Sequence, residues 1–256
     1  MTGIEQLRAY YTATLPYYDA ALEDRGDLPF WRSIARRWSA RRILELGCGT
    51  GRVTSVIGEQ AATTAVDLLI EMVHSASRRA REAHFVVADL RDFAFVSTFD
   101  LIVLADDPMA HLTSPQERIE VMKRIADHLA PEGRVVLEGL YRPAEEPLFV
   151  PPRHVLRDGE VPFTVDERWE PTGENAIWDA TYRYGNGSEI TKVTSRLRSW
   201  TREEVEHLPD AGLDVEALRG DFDERPFSDR SPRIVIVARK RGWPVRRTAR
   251  LHHAFA

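Results

Sequence analysis

RRILELGCGTG, residues 41–51, is the stretch on which the fold turns. Ile43, Leu44 and Leu46 make a short apolar run that reads as a buried strand, and Gly47, Gly49 and Gly51 end it in a tight bend. RVTSVIGEQA at 52–61 follows, with Val53, Val56 and Ile57 on one helical face. The unit is therefore strand, glycine turn, helix. Working downstream, ATTAVD (62–67) predicts a strand, LLIEMVHSASRRAREA (68–83) a helix, and HFVVAD (84–89) and FDLIVLAD (99–106) two strands. PQERIEVMKRIADHLA (115–130) predicts a helix and RVVLEGL (134–140) a strand. The helix at 115–130 is well marked: Ser114 as N-cap, Pro115 at the first position, Glu117 closing a capping box, and Gly133 as terminator. Ile119, Met122, Ile125, Ala126 and Leu129 give it a buried stripe. Apolar strands alternating with amphipathic helices predict a doubly wound α/β fold. LDVEALRGDF (213–222) and RIVIVARK (233–240) complete a mainly parallel seven-stranded sheet.

Outward from that core the character changes. Residues 4–39 read as helical, interrupted near Pro16 and Pro29, with Tyr10, Tyr11, Tyr17, Tyr18, Phe30, Trp31 and Trp38 among them. Residues 1–39 are expected to form an N-terminal helical lid. Residues 142–200 begin proline-rich and extended, then give three strand-like runs, VPFTVDERWEP, NAIWDATYRYG and SEITKVTSRLRSW, separated by turn signals. Trp178, Ala180, Tyr182 and Tyr184 share one parity, as in a half-exposed antiparallel three-stranded meander inserted as substrate cover or dimer contact. The core is thus expected at 40–141 and 201–240, with a basic tail at 241–256.

A chain of 256 residues with 43% hydrophobic content can bury a full core without cross-links. The formal charge of −5 argues against a broad nucleic-acid footprint. A single cysteine, Cys48, excludes an internal disulfide. The N-terminus lacks the pattern of a signal peptide, and no run approaches the roughly 18 apolar residues that span a bilayer. The expectation is a cytoplasmic protein, monomer or homodimer, without membrane or nucleic-acid partners.

In such a sheet the ligand sits at the carboxyl ends of the strands, near the switch point. That gathers Gly47–Gly51, Asp67, Asp89 and Ala105–Asp107 around one crevice. A dinucleotide fingerprint would place its third glycine where Arg52 stands. Glu45, Asp67, Asp89, Asp106 and Asp107 are expected to ring the bend, repelling a pyrophosphate and attracting a sulfonium cofactor that also bears an ammonium.

At ELGCGTG (45–51), Asp67, VADLRDF (87–93) and FDLIVLAD followed by His111-Leu112, the sequence resembles the class I S-adenosylmethionine-dependent methyltransferases. The likeness is to their small-molecule branch, which includes glycine N-methyltransferase-like and nucleotide-sugar N-methyltransferase-like enzymes. It covers residues about 40–140 and is specific for the cofactor rather than the acceptor. The resemblance implies that the backbone at Gly47, Cys48 and Gly49 approaches the methionine moiety, with Glu45 in support. It implies that Asp67 takes the ribose hydroxyls with Leu68 and Met72 beside the adenine, and that Asp89 accepts from the adenine amino group under Leu90. The Ala105 carbonyl would face the ammonium.

Tyr10, Tyr18 and Trp31 are candidates for a lid over the methyl group, and Tyr18 also for a catalytic contact. Methyl transfer needs chiefly alignment and exclusion of water. His111 is a candidate base with a structural role as its alternative, Asp106 or Asp107 could orient the acceptor, and no metal site is expected. Cys48 reads as a packing residue. The expected reaction is transfer of a methyl from S-adenosylmethionine, leaving S-adenosylhomocysteine, to N or O of a small molecule. The alternatives are a protein or nucleic-acid acceptor, or a binding module without turnover.

Overall fold

A computed structural model describes residues 3–22, 25–142, 146–155, 163–186 and 189–242. The chain opens with helices α1 (Gly3–Leu22) and α2 (Leu28–Arg37). An alternation follows: β1 (Arg42–Leu46), α3 (Arg52–Gly58), β2 (Ala62–Asp67), α4 (Ile70–Arg79), β3 (His84–Val87), β4 (Phe99–Leu104), α5 (Pro115–His128) and β5 (Leu129–Gly139). Next come β6 (Leu148–Val155), β7 (Phe163–Pro171), β8 (Ile177–Asn186) and β9 (Glu189–Arg198). The short α6 (Arg202–Glu206) leads into β10 (Leu213–Arg219) and β11 (Ile234–Lys240).

One sheet holds seven strands in the order β10-β11-β5-β4-β1-β2-β3. β3, β2, β1, β4 and β5 are parallel neighbours, and β11 and β10 add an antiparallel edge. Both faces are covered, which is why the strands read as continuous apolar runs. Leu44, Leu46, Ile102 and Leu104 pack with Val121, Met122 and Ile125 of α5 on one side. Ile43, Leu101 and Val103 pack with Trp31 and Ile34 of α2 and Val53 and Ile57 of α3 on the other. The strand order reverses between β1 and β4, so the loops after those strands part and leave a crevice.

The antiparallel sheet has four strands, β6-β7-β8-β9, one more than the sequence predicts. The extra strand is the proline-rich stretch at 148–155, which pairs with β7 at the edge of the sheet. Prolines are tolerated there because an edge strand leaves one row of backbone groups unpaired. α1 also differs from expectation: it runs unbroken through Pro16. One lost helix bond is outweighed by packing on both sides, with Ala20 and Tyr17 against Phe163, Val165 and Tyr184 of the antiparallel sheet. Tyr17 stacks on Tyr184 at 4.8 Å. Pro29 does mark a boundary, standing in the first turn of α2. In α5 the Ser114 hydroxyl caps the Glu117 amide, but the Glu117 carboxylate turns to Arg91 instead of closing a capping box. The helix ends at His128, before Gly133, which lies within β5. Residues 243–256 of the expected basic tail lie outside the described residues.

Candidate active site

The bend after β1 is set by its glycines. Gly51 has φ of 80°, and a Cβ there would stand 2.8 Å from Ala76 Cα in α4. A side chain at Gly47 (φ 76°) would collide with Pro108, its Cβ 2.4 Å from the proline Cβ. Only glycine lets the bend lie this close to Pro108 on one side and helix α4 on the other. The amides of Gly47 and Cys48 donate to the Val66 carbonyl at 2.8 and 2.9 Å. At the end of β2, Asp67 accepts the Gly49 amide at 2.8 Å and the Leu69 amide at 3.0 Å. Burial raises its pKa against those two hydrogen bonds.

Above this bend lies a cavity of about 1050 Å³. Gly47, Gly49, Asp67, Leu68, Met72, Asp89, Leu90, Ala105, Asp106 and His111 line its floor and walls, and Tyr10 and Tyr18 of α1 its roof. All twelve were singled out from sequence. Glu45, Cys48, Trp31 and Asp107, singled out with them, do not line it. Glu45 is sealed beneath the bend, its Oε2 accepting the Thr54 hydroxyl at 2.5 Å, and burial pushes its pKa up to about 8. The Cys48 side chain is buried against Ala65 and Ala76, and its thiol is pushed far up by burial. Trp31 is fully buried in the core beside Phe30 and Ile34, its indole donating to Asp27 at 3.1 Å. It is therefore no part of a lid: the apolar face of α2 turns it inward, toward the sheet.

The expected ring of free carboxylates also needs correction. Asp89 carries the Arg91 guanidinium at 2.7 Å, which holds its pKa below the usual carboxylate range. Asp106 carries Arg25 at 2.6 Å. Asp107 turns inward to accept the Leu140 amide at 2.7 Å, and burial pushes its pKa up to about 7, so it does not face an acceptor. Asp67 has no cationic partner among the described residues. The cavity is thus nearly balanced in charge, with one open acid in it.

Several contributors escaped the sequence reading. Glu138, buried at the end of β5, accepts the Asp106 amide at 2.9 Å and pairs with Arg25. It holds the corner where Asp106 and Asp107 adopt positive φ of 59° and 44°. A lone Glu inside the apolar run RVVLEGL was the available signal. Arg25, just past α1, ties the roof to the floor, and Asp19 of α1 does so again through Thr50 and Arg79. Tyr11 and Ser195 also line the cavity, on either side of His111. His111 follows β4 in a 3-10 turn at Pro108–His111, partly open to the cavity beneath α1. Burial lowers its pKa to about 4, so the ring is neutral near pH 7. The Tyr10, Tyr11 and Tyr18 hydroxyls stay protonated because burial raises them all.

Residues 43–133 match the family described as methyltransferase domain. The chain carries a methyltransferase domain of the S-adenosylmethionine-dependent class. Cypemycin N-terminal methyltransferase of a Streptomyces species is 26% identical, over 89% of this chain and 96% of its own length. The dTDP-3-amino-3,6-dideoxy-alpha-D-glucopyranose N,N-dimethyltransferase of Streptomyces fradiae is 28% identical, over 73% and 76%. A solved S-adenosylmethionine-dependent methyltransferase from Clostridium acetobutylicum ATCC 824 shares the fold, with a TM-score of 0.73 at 18% identity over 91% of this chain and 99% of that one. The crevice of this methyltransferase domain is where β1, β2 and β4 end, as the doubly wound fold requires. No helix among the described residues is long and apolar enough to cross a membrane.

Proposed function

We propose that this methyltransferase transfers a methyl group from S-adenosylmethionine to the amino group of a small molecule, in the cytoplasm, as a monomer or homodimer. The observation that carries the reading is the single cavity of about 1050 Å³ joining the glycine bend to a neutral imidazole and three tyrosines. Ligand sites commonly hold one drug-sized molecule in about 300–1,000 Å³, so this one suits a cofactor and an acceptor together.

The donor set fits the cofactor. Asp67 is an open acid with two amides already on it, suited to the ribose hydroxyls, and Leu68, Leu90 and Met72 offer apolar walls for the adenine. Asp89 is proposed to take the adenine amino group, which requires it to share its oxygens with Arg91. Gly47, Gly49 and the Ala105 carbonyl would face the methionine part. When bound, the cofactor supplies an electrophilic methyl on a cationic sulfur. The protein's work is alignment and exclusion of water, which α1 performs as a roof. A neutral His111 does not repel the sulfonium. Tyr18, protonated, packs over Gly49 without adding charge.

An amine is favoured over a hydroxyl because no strong base lines the cavity among the described residues: a neutral amine already carries its nucleophilic lone pair, whereas a hydroxyl needs deprotonation. Of the two relatives above, one is named an N,N-dimethyltransferase and the other an N-terminal methyltransferase. A second reading, an N-terminal amine as acceptor, is favoured by the N-terminal methyltransferase, whose match spans 89% of this chain. Incubation with methyl-labelled cofactor and a panel of amino sugars, dTDP-linked amino sugars, short peptides and their hydroxyl analogues tests the proposal. Label is expected on a small amine. Label only on hydroxyl compounds, or on protein or RNA, overturns it.

A further inference from the structure

His111 is held from both ring nitrogens. Its Nε2 lies 2.8 Å from the Tyr11 hydroxyl on α1, and its Nδ1 lies 3.3 Å from the Ser195 hydroxyl on β9. The three residues come from the roof, from the loop after β4 and from the antiparallel sheet, and all three line the cavity. A neutral imidazole has one N–H and one lone pair, so the two contacts have opposite sense. The phenol is the stronger donor of the two hydroxyls and makes the shorter contact. It therefore donates to Nε2, and Nδ1–H donates to Ser195 Oγ. With its proton spent on His111, the Tyr11 oxygen keeps its lone pairs for the cavity.

We infer that Ser195, through the tautomer of His111, sets Tyr11 as the acceptor that grips an N–H of the incoming amine and aims its lone pair along the transfer line. Ser195 and His111 are positioning residues, and Tyr11 is the group in contact with the acceptor. No proton changes owner in this arrangement: a donated N–H orients the amine, and the amine's own lone pair stays free to form the new C–N bond. Tyr10, whose ring is 4.9 Å from that of Tyr11, walls the same pocket and confines the approach, and Tyr182 packs against Tyr10 with ring centroids 6.1 Å apart. The inference rests on the proposed reading of the amine as acceptor, but its central element, the tautomer, is measurable without turnover.

Nitrogen-15 NMR of histidine-labelled protein, with the His111 signals assigned by their loss in His111→Asn, reads the tautomer directly. A neutral ring with its proton on Nδ1 is expected in the parent and in Ser195→Thr, with a shift toward the Nε2–H form in Ser195→Ala. A proton on Nε2 in the parent, or no change in Ser195→Ala, overturns the inference. Kinetics then use whichever panel amine accepts label. Ser195→Ala is expected to lower kcat by about tenfold with little change in the KM for S-adenosylmethionine, and Ser195→Thr to restore it. Tyr11→Phe combined with Ser195→Ala should lose no more than the worse single variant, since both cut one chain. Losses that multiply, or that fall on cofactor KM alone, count against the chain. If no panel amine is methylated, the functional reading fails, while the NMR result still decides the hydrogen-bond order.

Discussion

Glu45 shows how a single buried carboxyl at the strand end shapes the response of this protein to pH. It has almost no exposed surface, one hydrogen-bond partner in Thr54, and a pKa pushed up to about 8 by burial. In the unfolded chain it titrates near the ordinary value of about 4.3. Between those two values folding takes up a proton, so Glu45's contribution to stability falls as pH rises through that window. Glu45→Gln removes this term. Denaturant midpoints should be nearly equal for parent and variant at pH 5, with the variant pulling ahead at pH 9. Parallel pH profiles would count against the assignment. Asp67, also raised by burial, differs in lining the cavity and accepting two amides. Asp67→Asn should weaken S-adenosylhomocysteine binding by about 10- to 100-fold, the scale of charged hydrogen bonds, as calorimetry can read. Unaltered affinity would sink the ribose assignment. Both residues were visible as site candidates in the sequence. What could not be seen was that Asp106 would be occupied by Arg25, 81 positions away, which finds its partner only once the chain folds back; Arg91 on Asp89 is a contact between residues two apart.

At the scale of elements, the strand-bend-helix unit from β1 to α3 is the most tightly specified part. Gly51 opens α3 with a left-handed backbone pressed against α4, so Gly51→Ala combines strain with a clash at 2.8 Å. A loss of about 1–3 kcal/mol is expected in urea titration, with binding weakened by the displaced bend. A variant as stable as the parent would show that α3 and α4 can part freely. This unit was legible because its signals are local: an apolar run, closely spaced glycines, a helical stripe. α6 is as locally specified, its Thr201–Glu204 capping box formed within four residues. Elements decided by distant contacts were less so. Pro16 reads as a helix break and is overridden by packing on Tyr184 and Phe163. The 148–155 stretch reads as extended coil and becomes an edge strand because β7 offers a free edge.

For the molecule as a whole, the roof is the part whose state should follow the cofactor. α1 meets the antiparallel sheet through Tyr17 and Ala20, and the core through Asp19–Arg79 and its bond to Thr50. The cavity lies between, so a bound cofactor would add contacts to α1 that β10 and β11 cannot feel. Hydrogen exchange with and without S-adenosylhomocysteine should slow in residues 3–22 and in the Gly47–Leu69 region, and stay unchanged in β10 and β11. Uniform protection, or none in α1, would mean that the roof is not coupled to the site.

The order of strands and helices, the glycine bend and the parallel sheet were determined by the sequence alone, because periodicity, turn chemistry and capping act within a few residues. The tertiary structure alone decided which acids stay open, that Trp31 belongs to the core, and that Tyr11, His111 and Ser195 meet across separations of 100 and 84 positions. Charge pairing and hydrogen-bond order depend on burial and on contacts between remote segments, and no local propensity encodes either.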